Sequence, residues 1–345
     1  MAERCIRRAV GGALLVVLLG PASCAGQSKA TTSGIVTLRL GYYANLTHAP
    51  AILGVEDGIF AKALGSQVRL ETKTFNAGPA AVEALFAGAV DATFLGPSPA
   101  INAFQKSGGK AIRIVAGSTS GGAALVVKPT ITSPADLRSR KIGTPQLGNT
   151  QDVALRSWLK RQGLKTTQEG GGDVSVLPQD NAQTLDAFQA GRIDGAWVPE
   201  PWASRLVVEG GGKILVDEAS LWPGGRYATT VLCVRTEFLA KHRDVVKRLI
   251  SGEVEAIDRA RTDPAARRTV NDAIAKITEK SLKQAVLAAA WPRLSFTYDP
   301  LTATLARSAH DAKELGFLSS ADVGGITDLT LLNEVLRQKG RQTVS

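Results

Sequence analysis

Apolar and polar positions alternate with period two in VTLRLGYY (36–43) and VRLETKTF (68–75), the pattern of strands with one buried face. Between them, NLTHAPAILGVEDGIFAKALG (45–65) changes to a helical spacing broken by one short turn, with Asn45 or Thr47 as N-cap and Pro50 in the first turn. PAAVEALFAG reads as a helix ended by Gly88, VDATFLG as a buried strand, and PSPAINAFQKSGG as a further helix. IRIVAG and AALVV are strands. SPADLRSR opens a helix with Ser133 as N-cap, and KIGTP is a strand. NTQDVALRSWLKRQG is an amphipathic helix with Leu155, Trp158 and Leu159 on one face. VSVLPQ, a helix over 182–190, IDGAWVP, KILVD and ATTVLCV continue the alternation, and from about residue 236 the chain reads mostly as helices. Strands and helices in this order predict an α/β fold with mainly parallel sheets flanked by helices.

The first 24 residues follow a different rule. Arg4, Arg7 and Arg8 precede a short apolar run, Ala9–Leu19, and the small residues Ala22 and Ser23 stand before Cys24. A run of this length is well short of the roughly 20 residues that span a bilayer, so residues 1–23 are expected to be a signal peptide. A Cys after two small residues resembles a bacterial lipoprotein site, which makes Cys24 the expected lipidation position; Pro21 departs from the Leu usual three places before the Cys. Residues 24–36 then form the lipidated Cys and a small, polar tether. Cleavage lowers the formal surplus from +10 to +8, because three Arg and one Glu leave. It also leaves Cys233 without a partner in an oxidising compartment, read as a buried small hydrophobe in YATTVLCV. With 3 Cys and 3 His, a multi-Cys zinc site and a disulfide framework are excluded.

A weak internal repeat organises the rest. EALFAGAVDATFLGPSP (83–99) aligns with DAFQAGRIDGAWVPEPW (186–202) at an offset of 103, setting Gly88 on Gly191, Asp91 on Asp194 and Phe94 on Trp197. Thr47 falls on Thr150 at the same offset. Two similarly built α/β halves would bring the loops at the carboxyl ends of their strands to one cleft, where open α/β sheets bind ligands.

GYYANLTHAPAILGVEDGIF, FNAGPAAVEALFAGAVDATFLGPSPAINAF, AGSTSGGAALVV and IDGAWVPEPW together resemble the substrate-binding proteins of bacterial ABC importers, in the branch serving alkanesulfonates, taurine and nitrate. The same superfamily includes binders of thiamine-pyrimidine precursors. The resemblance covers about residues 36–320. It implies a two-lobed, hinged periplasmic-binding-protein fold of type II, with residues 37–122 and 226–345 in one lobe and 123–225 in the other. It implies a lipid-anchored monomer on the extracytoplasmic face, which captures a small organic anion, an aliphatic sulfonate foremost, and delivers it to a permease and its ATPase. Nitrate, taurine and a pyrimidine precursor are the alternatives. No metal, cofactor or nucleic-acid partner is expected.

The candidate contacts are set by what an anion needs. Converging N–H and O–H donors and helix N-termini supply it. Asn45, Leu46, Thr47 and His48 form one cluster, and Asn149, Thr150 and Gln151 after Gly148 another. Gly96, Pro97 and Ser98 come directly after a buried strand. Thr119, Ser120 and Gly121 lie on a hydroxyl-rich crossing, with Tyr227 near the second crossing. Trp202 offers an apolar wall. Glu200 suits an anion poorly and is expected to hold a donor, close the lobes or face away. His48, facing the cleft, would gain anion affinity below its ordinary pKa near 6.5. Enzyme motifs (G-x-S-x-G, P-loop, CxxC, HExxH) are lacking, the Lys and His set of the pyrimidine-synthesising relatives is not identifiable, and the basic residues are scattered among acids.

Overall fold

The computed structural model describes residues 34–345; the expected signal peptide, Cys24 and most of the tether lie outside the described residues. The chain runs β1 (Val36–Tyr43), α1 (Ala49–Glu56), α2 (Ile59–Leu64), β2 (Val68–Phe75), α3 (Gly78–Phe86), β3 (Ala92–Leu95), α4 (Pro97–Lys106) and β4 (Ile112–Gly121). It crosses at Gly122 into β5 (Ala123–Val127), β6 (Lys141–Thr144), α5 (Thr150–Arg161), β7 (Ser175–Pro178), α6 (Asn181–Gln189), β8 (Gly195–Pro199), α7 (Trp202–Val208) and β9 (Lys213–Asp217). It returns through residues 218–227 to β10 (Ala228–Arg235), α8 (Thr236–Lys241), α9 (Arg243–Thr262), α10 (Ala266–Thr278), α11 (Gln284–Ala290), β11 (Leu294–Phe296), α12 (Thr302–Glu314) and α13 (Thr330–Gln338).

Two sheets result, ordered β11-β4-β10-β3-β1-β2 and β7-β6-β8-β5-β9. The units β2-β1-β3 and β7-β6-β8 are parallel, as expected. The sheets as wholes are mixed: β10 runs antiparallel to β3 and β4, and β5 antiparallel to β8 and β9. The crossings explain this. Both β5 and β10 start where the chain arrives from the other half, at the end where the parallel strands finish, so each must run the opposite way.

Period-two alternation splits each central strand between two cores. On β10, Leu232 and Val234 pack with α1, α9 and α10, whereas Val231 and Cys233 pack with α3, α4 and α12. On β5, Leu125 and Val127 pack with Leu155, Trp158 and Leu159 of α5, whereas Ala124 and Val126 pack with α6 and α7. Cys233 is free and buried. Two local expectations fail. Ser133 opens only a 3-10 turn, Pro134–Leu137, because SPADLRSR offers one large apolar residue, Leu137, and no stripe to bury. The three-residue β11 is too short to show an alternation in the sequence.

Candidate ligand-binding cleft

The structure brings the loops at the strand ends of both halves around one small cavity. Asn45, Thr47 and His48 lead into α1, Asn76 and Ala77 into α3, and Gly96 into α4 on one side; Asn149, Thr150 and Gln151 begin α5 and Asn181 begins α6 on the other. Five helix N-termini therefore meet at one space. Each carries unpaired N–H groups and about half a positive charge. The volume open to a water-sized sphere is about 30 Å³, where one water needs roughly 10–15 Å³. Tyr43, Pro145, Pro199 and Thr229 complete the lining, and no Lys, Arg, Asp or Glu takes part in it.

Local chemistry fixes these loops. The Asp152 carboxylate, fully buried, accepts from the Thr144 hydroxyl at 2.9 Å, the Gly148 N–H at 3.0 Å and the Arg156 guanidinium at 3.0 Å. That pins the segment between β6 and α5. Asn149 Oδ1 accepts the Thr150 N–H at 2.6 Å. On the other side, Thr230 Oγ1 of β10 donates to the Thr47 carbonyl at 2.9 Å, holding the turn before α1. The Ser98 N–H donates to Thr150 Oγ1 at 3.4 Å, a direct bond between halves. Further out, α5 meets α12 through Lys160–Glu314 at 2.9 Å and Arg161–Asp311 at 3.4 Å.

His48 is buried, and burial pushes its pKa down to about 3. Its Nδ1 faces the Tyr43 N–H at 3.4 Å, and the two rings lie 4.1 Å apart. A neutral imidazole accepting at Nδ1 keeps its proton on Nε2. The gain of affinity near pH 6.5 expected for this residue is therefore corrected: the side chain is a neutral donor at physiological pH. The Tyr43 hydroxyl and Asn45 Oδ1 are buried without a protein partner.

Other candidates sit elsewhere. Leu46 lies in the core of the first sheet. Pro97 and Ser98 are buried in the first turn of α4, behind Gly96. Thr119, Ser120 and Gly121 end β4; at the crossing Ser120 Oγ accepts the Tyr227 N–H at 3.2 Å and the Gly121 carbonyl accepts from Thr229 Oγ1 at 2.6 Å, whereas the Thr119 hydroxyl is buried without a protein partner. The Tyr227 hydroxyl accepts the Ala123 N–H at 3.2 Å, and its ring stacks on Trp222. Glu200 is turned away from the cavity. It accepts from Ser204 N–H and Oγ, each at 3.0 Å, and pairs at 2.9 Å with Arg293 of the other half. Trp202 lines an adjoining outer cavity.

Asn76 and Asn181 are not among the sequence candidates, although a signal for them exists. At the offset of 103, β2 ends at Phe75 and β7 at Pro178, and α3 begins at Gly78 and α6 at Asn181. The repeat thus extends to the helix starts beside those of α1 and α5.

This geometry can be set beside known proteins. The sequence profile of the NMT1-like family matches residues 32–275. The chain belongs to the NMT1-like family. It is 32% identical over 207 residues to the taurine-binding periplasmic protein of Escherichia coli, an alignment covering 60% of this chain and 62% of that protein's length. Among solved structures, the alkanesulfonate-binding protein of Xanthomonas axonopodis pv. citri, bound to MOPS, superposes with a TM-score of 0.68 at 20% identity over 84% of this chain and 96% of that one. The periplasmic nitrate-binding protein of Synechocystis gives 0.71 at 16% identity over 88% and 89%. These two likenesses establish a periplasmic-binding-protein fold for this NMT1-like chain. Among the described residues no helix is long and apolar enough to cross a membrane, and no cluster of His, Cys, Asp and Glu could hold a metal ion.

Proposed function

We propose that the chain is the extracytoplasmic substrate-binding component of an ABC importer. It is a monomer, exported and tethered to the membrane through a lipidated Cys24. Residues 37–122 with 226–345 form one lobe and 123–225 the other. The lobes close around a small organic anion, an aliphatic sulfonate foremost, and present the closed form to the permease and its ATPase. It acts by binding, not by catalysis.

One observation carries the reading: five helix N-termini converge on a cavity lined by neutral donors, with no ionised side chain. A compact anion is the charge such a field stabilises. Both lobes supply donors, so affinity is completed only on closure. A receptor that must release its ligand to a permease gains from this, since opening removes half of the donors at once.

The same lining supports a second reading, a neutral pyrimidine. Asn45, Asn76, Asn149, Gln151 and Asn181 are amides that both donate and accept. Thermal shift against alkanesulfonates, taurine, aromatic sulfonates, nitrate and pyrimidine precursors separates the two, because a ligand of the native state raises the midpoint. Sulfonates are expected to raise it, and the paired Thr150→Ala and Ser98→Ala substitutions to weaken the effect. A shift with pyrimidine precursors alone transfers the function to the second reading; no shift with any of the panel overturns both.

A further inference from the structure

The two halves also meet outside the cavity, along α12. Arg307, Asp311 and Glu314 stand four and three residues apart and share one face of that helix. Leu305 and Ala309, on another face, are buried in the core of the first half. Each residue of the outer face finds a partner within residues 123–225. Arg307 Nη1 donates to the Leu221 carbonyl at 2.9 Å, and its guanidinium lies 4.2 Å over the Trp222 ring on the return crossing. Asp311 accepts from Arg161 at 3.4 Å and Glu314 from Lys160 at 2.9 Å, both donors on α5.

The end of the helix continues the contact. Gly316, at φ +77°, donates to the Lys313 carbonyl and Phe317 to the Ala312 carbonyl, each at 2.9 Å, which is a Schellman turn. The Glu314 and Leu315 carbonyls accept from the other half, from Lys160 Nζ at 3.3 Å and Gln168 Nε2 at 3.0 Å. Phe317 is the residue this turn delivers. Its ring lies 5.9 Å from the Arg156 guanidinium and about 3.8 Å from where a Cβ on Gly148 would stand. Arg156 is 1% exposed, and its Nη2 has no protein partner. Its other nitrogens bind the Asp152 carboxylate and the Thr167 carbonyl. Asp152 in turn holds Thr144 and Gly148, which bracket the segment leading into α5 at the cavity. An aromatic ring from one half therefore covers the buried cation that fixes the cavity loop of the other, a contact favoured by the ring quadrupole.

We propose that α12 is a clasp between the halves and that Phe317 is its positioning residue. Phe317 takes no part in the cavity lining. Seated on Arg156, it holds the Gly148–Thr150 segment in the place from which that segment meets a ligand. This rests on the reading that the halves close on a ligand and deepens it, because part of the closing free energy then lies outside the cleft and acts before the ligand arrives. Apparent affinity scales with the fraction of the chain already in the competent form.

Hydrogen exchange of the ligand-free chain tests the clasp without a ligand. Phe317→Ala is expected to speed exchange in residues 144–150 by about 2- to 30-fold, the range set by a cation–π contact, while segments at the base of either sheet keep their rates. Phe317→Tyr retains the ring face and should keep the parent's rates throughout. Calorimetric titration with ethanesulfonate should show an affinity loss of the same size in Phe317→Ala. At the exposed pair, Lys160→Glu should weaken ethanesulfonate binding about 1.4- to 5-fold, and adding Glu314→Lys should restore it. Unchanged exchange at 144–150 in Phe317→Ala, or a charge swap that restores nothing, overturns the clasp. If ethanesulfonate does not bind the parent, the sulfonate reading falls, and the exchange rates by themselves still decide the clasp.

Discussion

At the base of the first sheet, Asp91 Oδ2 accepts the Arg39 N–H of β1 at 3.0 Å, the Asp91 N–H donates to the Arg39 carbonyl, and the Arg235 N–H of β10 donates to the Asp91 carbonyl. At the base of the second, Asp194 Oδ2 accepts the Lys141 N–H of β6 at 3.0 Å, the Asp194 N–H donates to the Lys141 carbonyl, and the Lys128 N–H just past β5 donates to the Asp194 carbonyl. The two units share a ladder at this end down to single bonds. At the cleft end they part. After β3, Gly96 caps α4 and opens onto the cavity. After β8, Pro199 reaches the cavity, but Glu200 turns back: its N–H donates to the Gly122 carbonyl at 2.7 Å and its carboxylate meets Ser204 and Arg293. One repeated scaffold sets where the strands end. The loops beyond those ends differ, one lining the cavity and the other bracing the crossing.

The largest test of that division removes Arg293. Glu200 is fully buried, and losing its cation leaves an uncompensated carboxylate, which costs about 3–5 kcal/mol. Arg293→Ala should therefore lose about that much stability in denaturant unfolding. Gly96→Ala attacks the other loop. Gly96 has an ordinary φ of −70°, so the backbone is unstrained. An added Cβ would overlap Thr150 Oγ1 across the cleft. Overpacking of this kind costs about 1–3 kcal/mol; under the proposed lobe closure it falls on the closed form, an expected loss of roughly 5- to 150-fold in ligand affinity. Exchanged phenotypes, with affinity lost at Arg293 and stability at Gly96, would break the comparison.

The return crossing and the site also bury titrating groups of opposite sign. Glu218 lies on the return to the first sheet, accepts from Trp197 Nε1 at 2.7 Å, and is pushed by burial up to about 7. Trp222, Asp217, Tyr227 and Arg307 also face it. The folded chain keeps this proton where the unfolded chain, near 4.5, has lost it. Stability is thus lost as pH rises from 4.5 to 7. His48 does the reverse. The unfolded imidazole takes a proton below 6.5 and the folded one only near 3, so stability is lost as pH falls through that window. Each slope is about 1.4 kcal/mol per pH unit, and between pH 4.5 and 6.5 they oppose. Glu218→Gln keeps an acceptor for Trp197 and should gain about 3 kcal/mol over the parent at pH 8, with little change at pH 4.5. His48→Gln should shift the balance the other way, its relative gain appearing at pH 4. Parallel melting curves across pH for parent and Glu218→Gln would remove Glu218 as the source.

The residues that proved readable are those whose type answers to a local rule. Gly88 and Gly191 stop helices, apolar runs carry β3 and β8, and Asn149 and Thr150 start α5, so three of the five helix starts at the cavity were legible as chemistry. Asn76 and Asn181 lie just past strands at the outer edges of their parallel units. Only the sheet order shows that those ends return to the cavity. The hydroxyls of Ser120 and Thr229 and the phenol of Tyr227 were harder. Each meets a backbone group at a crossing, where the chain leaves one sheet before joining the other. A sequence cannot distinguish a hydroxyl aimed at a ligand from one that satisfies the backbone at a crossing. The antiparallel strands β5 and β10 were hidden for the same reason, since their direction is set by where the chain crosses.

The smallest effects should come from the shared base, where the comparison is closest. The Asp91 side chain is 3% exposed and binds Arg39 through its backbone N–H and its guanidinium at 2.7–3.0 Å, with Arg235 at 3.7 Å. The Asp194 side chain is 17% exposed, with Lys128 at 3.2 Å and Arg140 at 3.9 Å. Replacing either with Asn retains one acceptor for the strand N–H but turns an amide toward the cations. Hydrogen bonds to a charged group contribute about 1.5–3 kcal/mol when buried, and exposed ion pairs about 0–1. Arg39 is itself 41% exposed, which places Asp91→Asn near the lower figure, about 2 kcal/mol, and Asp194→Asn near 1 kcal/mol. Urea unfolding should rank them in that order, while ligand affinity stays unchanged in both, since these carboxylates sit at the opposite ends of the strands from the cavity. An affinity loss at either would mean that the base transmits to the cleft, and that the two units differ in more than their loops.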